Sequence, residues 1–155
     1  MSGDSQTWIT GGQFSNNQGD GLRMNGYVMI DGATFKANTG AAISVENGGQ
    51  LTLRKSQLLS NYQGITASTD GVNENIDLGT SAQPGDNTLQ SSTVNLYLGW
   101  TTAKTVPAVG NTWVAGEQGA DGNGHFPPMV ICGPIGNSGN PRNFRIAFSG
   151  PCVSP

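Results

Sequence analysis

Side chains able to do acid–base or nucleophilic chemistry are scarce in this chain of 155 residues. Ten Asp plus Glu, seven Lys plus Arg and one His give a formal net charge of -3. Where they gather is therefore informative. Asp70, Glu74 and Asp77 stand in one short stretch. Grouped carboxylates are hard oxygen ligands of the kind calcium takes. Two of them about 5–10 Å apart in a groove are the acid and base of glycoside hydrolysis. A solvated acidic corner has the same composition. Downstream come Tyr97, Trp100 and Lys104. Flat amphipathic rings beside polar groups suit the apolar faces and hydroxyls of sugars. Asp70, Glu74, Tyr97, Trp100 and Lys104 are thus the candidate binding residues, and Asp70, Glu74 and Asp77 the candidate calcium ligands; no other cofactor is expected.

The remaining candidates read as structural. His125 precedes Phe126-Pro127 in a Gly-rich stretch, and no Ser-His-Asp arrangement can be assembled around it. Asp121-Gly122-Asn123-Gly124 has half of a calcium loop but lacks the further oxygen ligands and distal Glu, and reads as a polar turn. Cys132 and Cys152 have the spacing of a structural disulfide in an exported protein, closing a loop of about 20 residues for roughly 3 kcal/mol. Two unpaired thiols are the alternative. With one His and no CxxC, a zinc site has no ligand set.

Composition narrows what can position these groups. Gly supplies 24 residues, 35% of residues are hydrophobic and 11% are charged. A net negative chain is a poor match for nucleic acid. Coiled coils need many charges and strong helix formers. No apolar run approaches the ~18–20 residues of a membrane-spanning helix, and Gly lacks the strict triplet period of collagen. A polar disordered chain or a turn-rich β fold is left.

Internal repetition decides between them. Trp8–Gly26 (WITGGQFSNNQGDGLRMNG), Val28–Gly48 (VMIDGATFKANTGAAISVENG) and Leu51–Ala67 (LTLRKSQLLSNYQGITA) share one pattern. An alternating apolar pair leads, a large apolar residue follows, and then come Asn, Gly and a second alternating pair. The first pair is Thr7/Ile9, Val28/Ile30, Leu51/Leu53, Ile76/Leu78 and Val106/Ala108. The large residue is Phe14, Phe35, Leu58, Leu89 and Trp113. The closing pair is Leu22/Met24, Ile43/Val45, Ile65/Ala67 and Leu96/Leu98. Period-2 alternation predicts short strands, and a repeat of about 20–25 residues predicts a solenoid. Leucine-rich repeats are disfavoured because Gly, Asn, Ser and Thr between the strands are poor helix formers. A parallel β-helix of about five turns fits, with Asn17, Asn38 and Asn61 stacked at the ~4.8 Å strand spacing as an amide ladder. A β-sandwich whose strands resemble one another by chance is the competing architecture.

This repeat resembles the right-handed parallel β-helices of the pectin-lyase-like superfamily. The segments Ile76–Gln90 (IDLGTSAQPGDNTLQ) and Ala108–Trp113 (AVGNTW) are similar to the last turns of bacterial exported β-helix proteins of uncharacterised function. The resemblance spans roughly residues 7 to 113 and implies an all-β right-handed fold, secretion or display at the cell surface, and polysaccharide-related roles. Its lyases and glycosidases carry clustered carboxylates on outward strand positions. Here those positions hold Met29, Thr52, Asp77 and Pro107 in one column and Arg23, Ser44, Thr66 and Tyr97 in another. Asp77 has no second carboxylate in its column, so the catalytic cluster does not carry over.

The ends differ. Residues 1–113 are expected to form the turns. Residues 114–155 are expected to form a cap of the same domain, with strands Met129–Cys132 and Phe144–Phe148 stapled by Cys132–Cys152. No apolar h-region follows Met1-Ser2-Gly3-Asp4, so the natural protein is expected to be longer. The stretches 68–75 and 99–105 fall at one corner on successive turns and are expected to bring Asp70, Glu74, Trp100 and Lys104 together. Gly79–Thr88 is expected to project elsewhere. The functional expectation is a non-catalytic structural or binding module that contacts polysaccharide or a cell-surface glycan through loops. Two alternatives stand beside it. One is part of a polysaccharide-acting enzyme, with its carboxylates on further turns or the 68–77 loop. The other is self-association through the N-terminal edge.

Overall fold

The computed structural model describes residues 6–67, 73–98, 104–113, 134–135 and 144–147. The chain winds as a parallel β-solenoid. The first turn is β1 (Gln6–Thr10), β2 (Gln13–Ser15) and β3 (Leu22–Met24), and the second is β4 (Tyr27–Asp31), β5 (Thr34–Lys36) and β6 (Ala41–Val45). In the third, β7 (Gln50–Arg54) is followed by one long strand, β8 (Gln57–Ala67), which serves both remaining sides. The fourth repeats this with β9 (Asn75–Asp77) and β10 (Thr88–Leu98). A partial further turn, β11 (Lys104–Pro107) and β12 (Thr112–Trp113), follows, so the solenoid has about four turns rather than five.

Strand pairing is parallel throughout these turns, and the register is the one the repeat predicts. Val28 lies opposite Thr7 and Leu51, and Ile30 opposite Ile9 and Leu53. The large residues stack as Phe14, Phe35, Leu58, Leu89 and Trp113. The closing pairs stack from Leu22/Met24 to Leu96/Leu98. A one-residue slip would turn every one of these side chains to solvent, which is why the alternation fixes the register so firmly. From the second turn onward, nearly all of these inward side chains are buried. Phe14 and Phe35 stack with centroids 4.8 Å apart and ring planes 10° apart. At the first turn Ile9, Phe14 and Leu22 are only partly buried, and Thr7 is exposed.

Two corners are held by side-chain ladders. At the first, Asn38 Oδ1 accepts from the backbone N–H (3.1 Å) and Nδ2 (2.8 Å) of Asn17. Asn61 Oδ1 accepts from the same two groups of Asn38, at 3.1 and 2.8 Å. The preceding residues, Asn16, Ala37 and Ser60, take left-handed φ of 54–58°. That conformation is costly for Ala, and the ladder behind it offsets the cost. Ser91 occupies the next position, and its N–H donates to Asn95 Oδ1 at 2.8 Å, which closes the ladder from within the same strand.

A second ladder runs along the corner after the first strand of each turn. Ala33 N–H donates to Ser56 Oγ (3.2 Å), Ser56 N–H to Asn87 Oδ1 (2.9 Å), and Asn87 N–H and Nδ2 to Asn111 Oδ1 (3.1 and 2.8 Å). The expected projection beginning at Gly79 interrupts this corner in sequence but not in space. Lys55 N–H donates to Gly85 O (2.7 Å), and Gly85 N–H to Val109 O (2.8 Å), so Gly85 takes up the ladder where Gly79 leaves it. Residues 80–84 bulge outward, pinned by Thr80 N–H to Gln83 O at 2.9 Å.

Of the expected cap, Phe144–Ala147 is a strand, β14. It pairs in parallel with β11, and β13 (Pro134–Ile135) pairs antiparallel with it. The expected strand Met129–Cys132 and the Cys132–Cys152 bridge lie outside the described residues.

Candidate functional surface

Alternation that buries one side of each strand necessarily presents the other. The four strands of the sheet β1-β4-β7-β9 pair without a register shift. Its outward side carries Gln6, Trp8 and Thr10, then Tyr27, Met29 and Asp31, then Gln50, Thr52 and Arg54, then Asn75 and Asp77. Trp8 lies opposite Met29, Met29 opposite Thr52, and Thr52 opposite Asp77. Among the described residues the exposed large hydrophobic side chains are Trp8 (65% exposed), Tyr62 (54%) and Tyr27 (38%). Two of these three share this face on neighbouring strands, two residues out of step, on the order of 8 Å apart.

The charges on this face are Asp31, Arg54 and Asp77, of which the last two form an ion pair. Arg54 Nη2 meets Asp77 Oδ2 at 2.8 Å, and Arg54 Nη1 donates to the Asp77 carbonyl at 3.1 Å. Asp77 Oδ1 accepts from Gly79 N–H at 2.8 Å. Both oxygens of this candidate calcium ligand are therefore occupied by protein donors. Glu74, the second candidate, is fully buried. Asp70 and Trp100 lie outside the described residues. Tyr97 is half-buried on β10 opposite Thr66, and Lys104 opens β11 opposite Phe144.

A second cluster of charge sits on the outward side of β3 and β6. Arg23 contacts Asp20 Oδ2 at 3.1 Å and Glu46 Oε1 at 3.4 Å. The Asp20 hydrogen bond, followed by the charge of Glu46, holds the Arg23 guanidinium above its ordinary pKa. Asp20 also accepts from Ala41 N–H at 2.8 Å, so it braces a corner as well as pairing a charge. Among the described residues no group of three or more His, Cys, Asp or Glu side chains is arranged to hold a metal ion. No helix of the described residues is long and apolar enough to cross a membrane.

Trp8 is the surface residue that the candidate set omitted. The signal for it was present, because a residue between inward Thr7 and Ile9 must point out. A scan against protein-family models finds no match, and searches of curated proteins and of solved structures find none.

Proposed function

We propose that this chain is a non-catalytic structural and binding module of an exported or cell-surface bacterial protein. In this reading it is a right-handed β-helix of pectin-lyase-like type, and its outer surface contacts carbohydrate. Residues 114–155 close the solenoid, stapled by Cys132–Cys152.

The observation that carries the reading is the outward face of β1-β4-β7-β9. It combines Trp8 and Tyr27 with the amides of Gln6 and Gln50 and the hydroxyls of Thr10 and Thr52, and two of its three charges, Arg54 and Asp77, pair with each other. The apolar face of a pyranose ring stacks on an aromatic ring while amides and hydroxyls exchange hydrogen bonds with its hydroxyls. With Asp31 as one acid beyond the Arg54–Asp77 pair, this face suits a neutral glycan better than a polyuronate or nucleic acid, whose negative charge it would repel. Fixed strands present these groups with little ordering cost on binding. The corner set of Asp70, Glu74, Tyr97, Trp100 and Lys104 is a second contact region in this reading.

A glycan array of neutral and acidic polysaccharides tests it. The expected result is retention on neutral glycans, lost in Trp8→Ala and kept, if weakened, in Trp100→Ala. Loss only in Trp100→Ala would move the site to the corner. An array with no bound glycan would overturn the carbohydrate reading.

A further inference from the structure

One corner of the solenoid carries Asn–Gly on two successive turns, Asn25–Gly26 between β3 and β4 and Asn47–Gly48 between β6 and β7. Asn followed by Gly is the dipeptide most open to attack of a backbone nitrogen on the preceding side-chain amide, because no Cβ hinders the approach. The two sites share sequence chemistry and differ in backbone.

Asn47 is held at φ 48° and Gly48 at φ 82°, and Gly49 N–H donates to Glu46 O at 2.9 Å. These are the marks of a closed hairpin-type turn with both central residues left-handed. The next turn packs on it: a Cβ on Gly48 would stand 3.2 Å from Asn73 Cβ. For the Gly48 nitrogen to reach Asn47 Cγ, the turn must first open and the backbone rotate out of the left-handed region.

Asn25 is exposed and outside the left-handed region, and a Cβ on Gly26 would meet nothing within 4 Å. Its corner has only two residues, Asn25 and Gly26, between Met24 and Tyr27.

We propose that Asn25 is a spontaneous modification site, converting to aspartate and isoaspartate, while the turn protects Asn47. The Gly26 backbone nitrogen bonds to Asn25 Cγ and loses its proton to solvent. The Cγ–Nδ2 bond breaks and ammonia leaves, giving a cyclic imide. Water then opens the ring at either carbonyl. One water is consumed and one ammonia released, with no oxidant or reductant. The isoaspartyl product adds a backbone carbon to a two-residue corner and a negative charge two residues from Arg23, which already pairs with Asp20 and Glu46. Modified chains are therefore expected to set β3 and β4 less well.

The test is incubation of the intact protein at mildly alkaline pH, followed by peptide mass spectrometry that separates aspartyl from isoaspartyl products. In the folded protein, the Asn25 peptide should convert roughly tenfold or more faster than the Asn47 peptide, since a hydrogen-bonded turn must open locally before it reacts. In denaturant the two rates should converge. Gly26→Ala should slow conversion at Asn25 and leave the melting temperature unchanged. Equal rates in the folded state, faster reaction at Asn47, no reaction at Asn25, or a difference that persists in denaturant would each overturn the proposal. None of these outcomes depends on whether the protein binds glycan.

Discussion

The two ladder corners solve one physical problem with different sequences. At each, backbone N–H groups leave the strand ladder and need an acceptor on the next turn, because burying them unpaired costs about 1–3 kcal/mol each. The Asn17/Asn38/Asn61 corner solves it with the same residue at steps of 21 and 23. The Ala33/Ser56/Asn87/Asn111 corner solves it with mixed residues at steps of 23, 31 and 24. The long step contains the projection that begins at Gly79. The difference teaches what a solenoid tolerates: chain can be added at a corner when the departing and returning backbones meet closely enough to preserve the ladder.

Gly85 is where that condition is strictest. A Cβ there would lie 1.8 Å from Leu78 O and 2.3 Å from Asn111 Oδ1. Gly85→Ala is expected to have the largest effect among changes at these corners, on the order of 3 kcal/mol or more, because backbone must move and the ladder with it. Chemical denaturation measures it. A loss under about 0.5 kcal/mol, the scale of an ordinary surface change, would mean that the corner has room to rearrange.

A graded series on the ladders comes next. Asn61 and Asn87 are 0% and 1% exposed. Asn61→Ala removes the acceptor of Asn38 N–H and the donor to Phe35 O. Asn87→Ala removes the acceptor of Ser56 N–H and the donor to Leu53 O. Each should cost about 2–4 kcal/mol, and the two should be similar if the corners are equivalent. Asn17→Ala should cost less than about 1 kcal/mol, since this side chain is exposed and only donates along the ladder. A small effect at Asn87 with a large one at Asn61 would break the equivalence.

The same contrast explains what the sequence revealed. Columns such as Phe14/Phe35/Leu58 were legible because each turn repeats an apolar residue at nearly constant spacing. The Asn17/Asn38/Asn61 ladder was legible for the same reason. The second ladder was hidden by residue change, Ser56 in place of Asn, and by the inserted chain. Its trace was the shared Asn-Thr before Leu89 and before Trp113. On the surface, alternation pointed Trp8 outward, yet an exposed Trp has no repeated partner to draw notice. Charge ordinarily predicts exposure, and the full burial of Glu74 depends on tertiary contacts that spacing does not encode.

The central claim is that alternate residues of these strands face a packed core and an outer surface free to make contacts. Adjacent positions on β8 test it most directly. Leu58 is fully buried between Phe35 and Leu89, and Gln57 beside it is exposed. Thermal melts of Leu58→Asp and Gln57→Asp should differ sharply: the first should lose its cooperative transition, because a buried unpaired charge is too costly to fold around, and the second should melt within a few degrees of the parent. Equal melting temperatures for the two would contradict the register and the solenoid built on it.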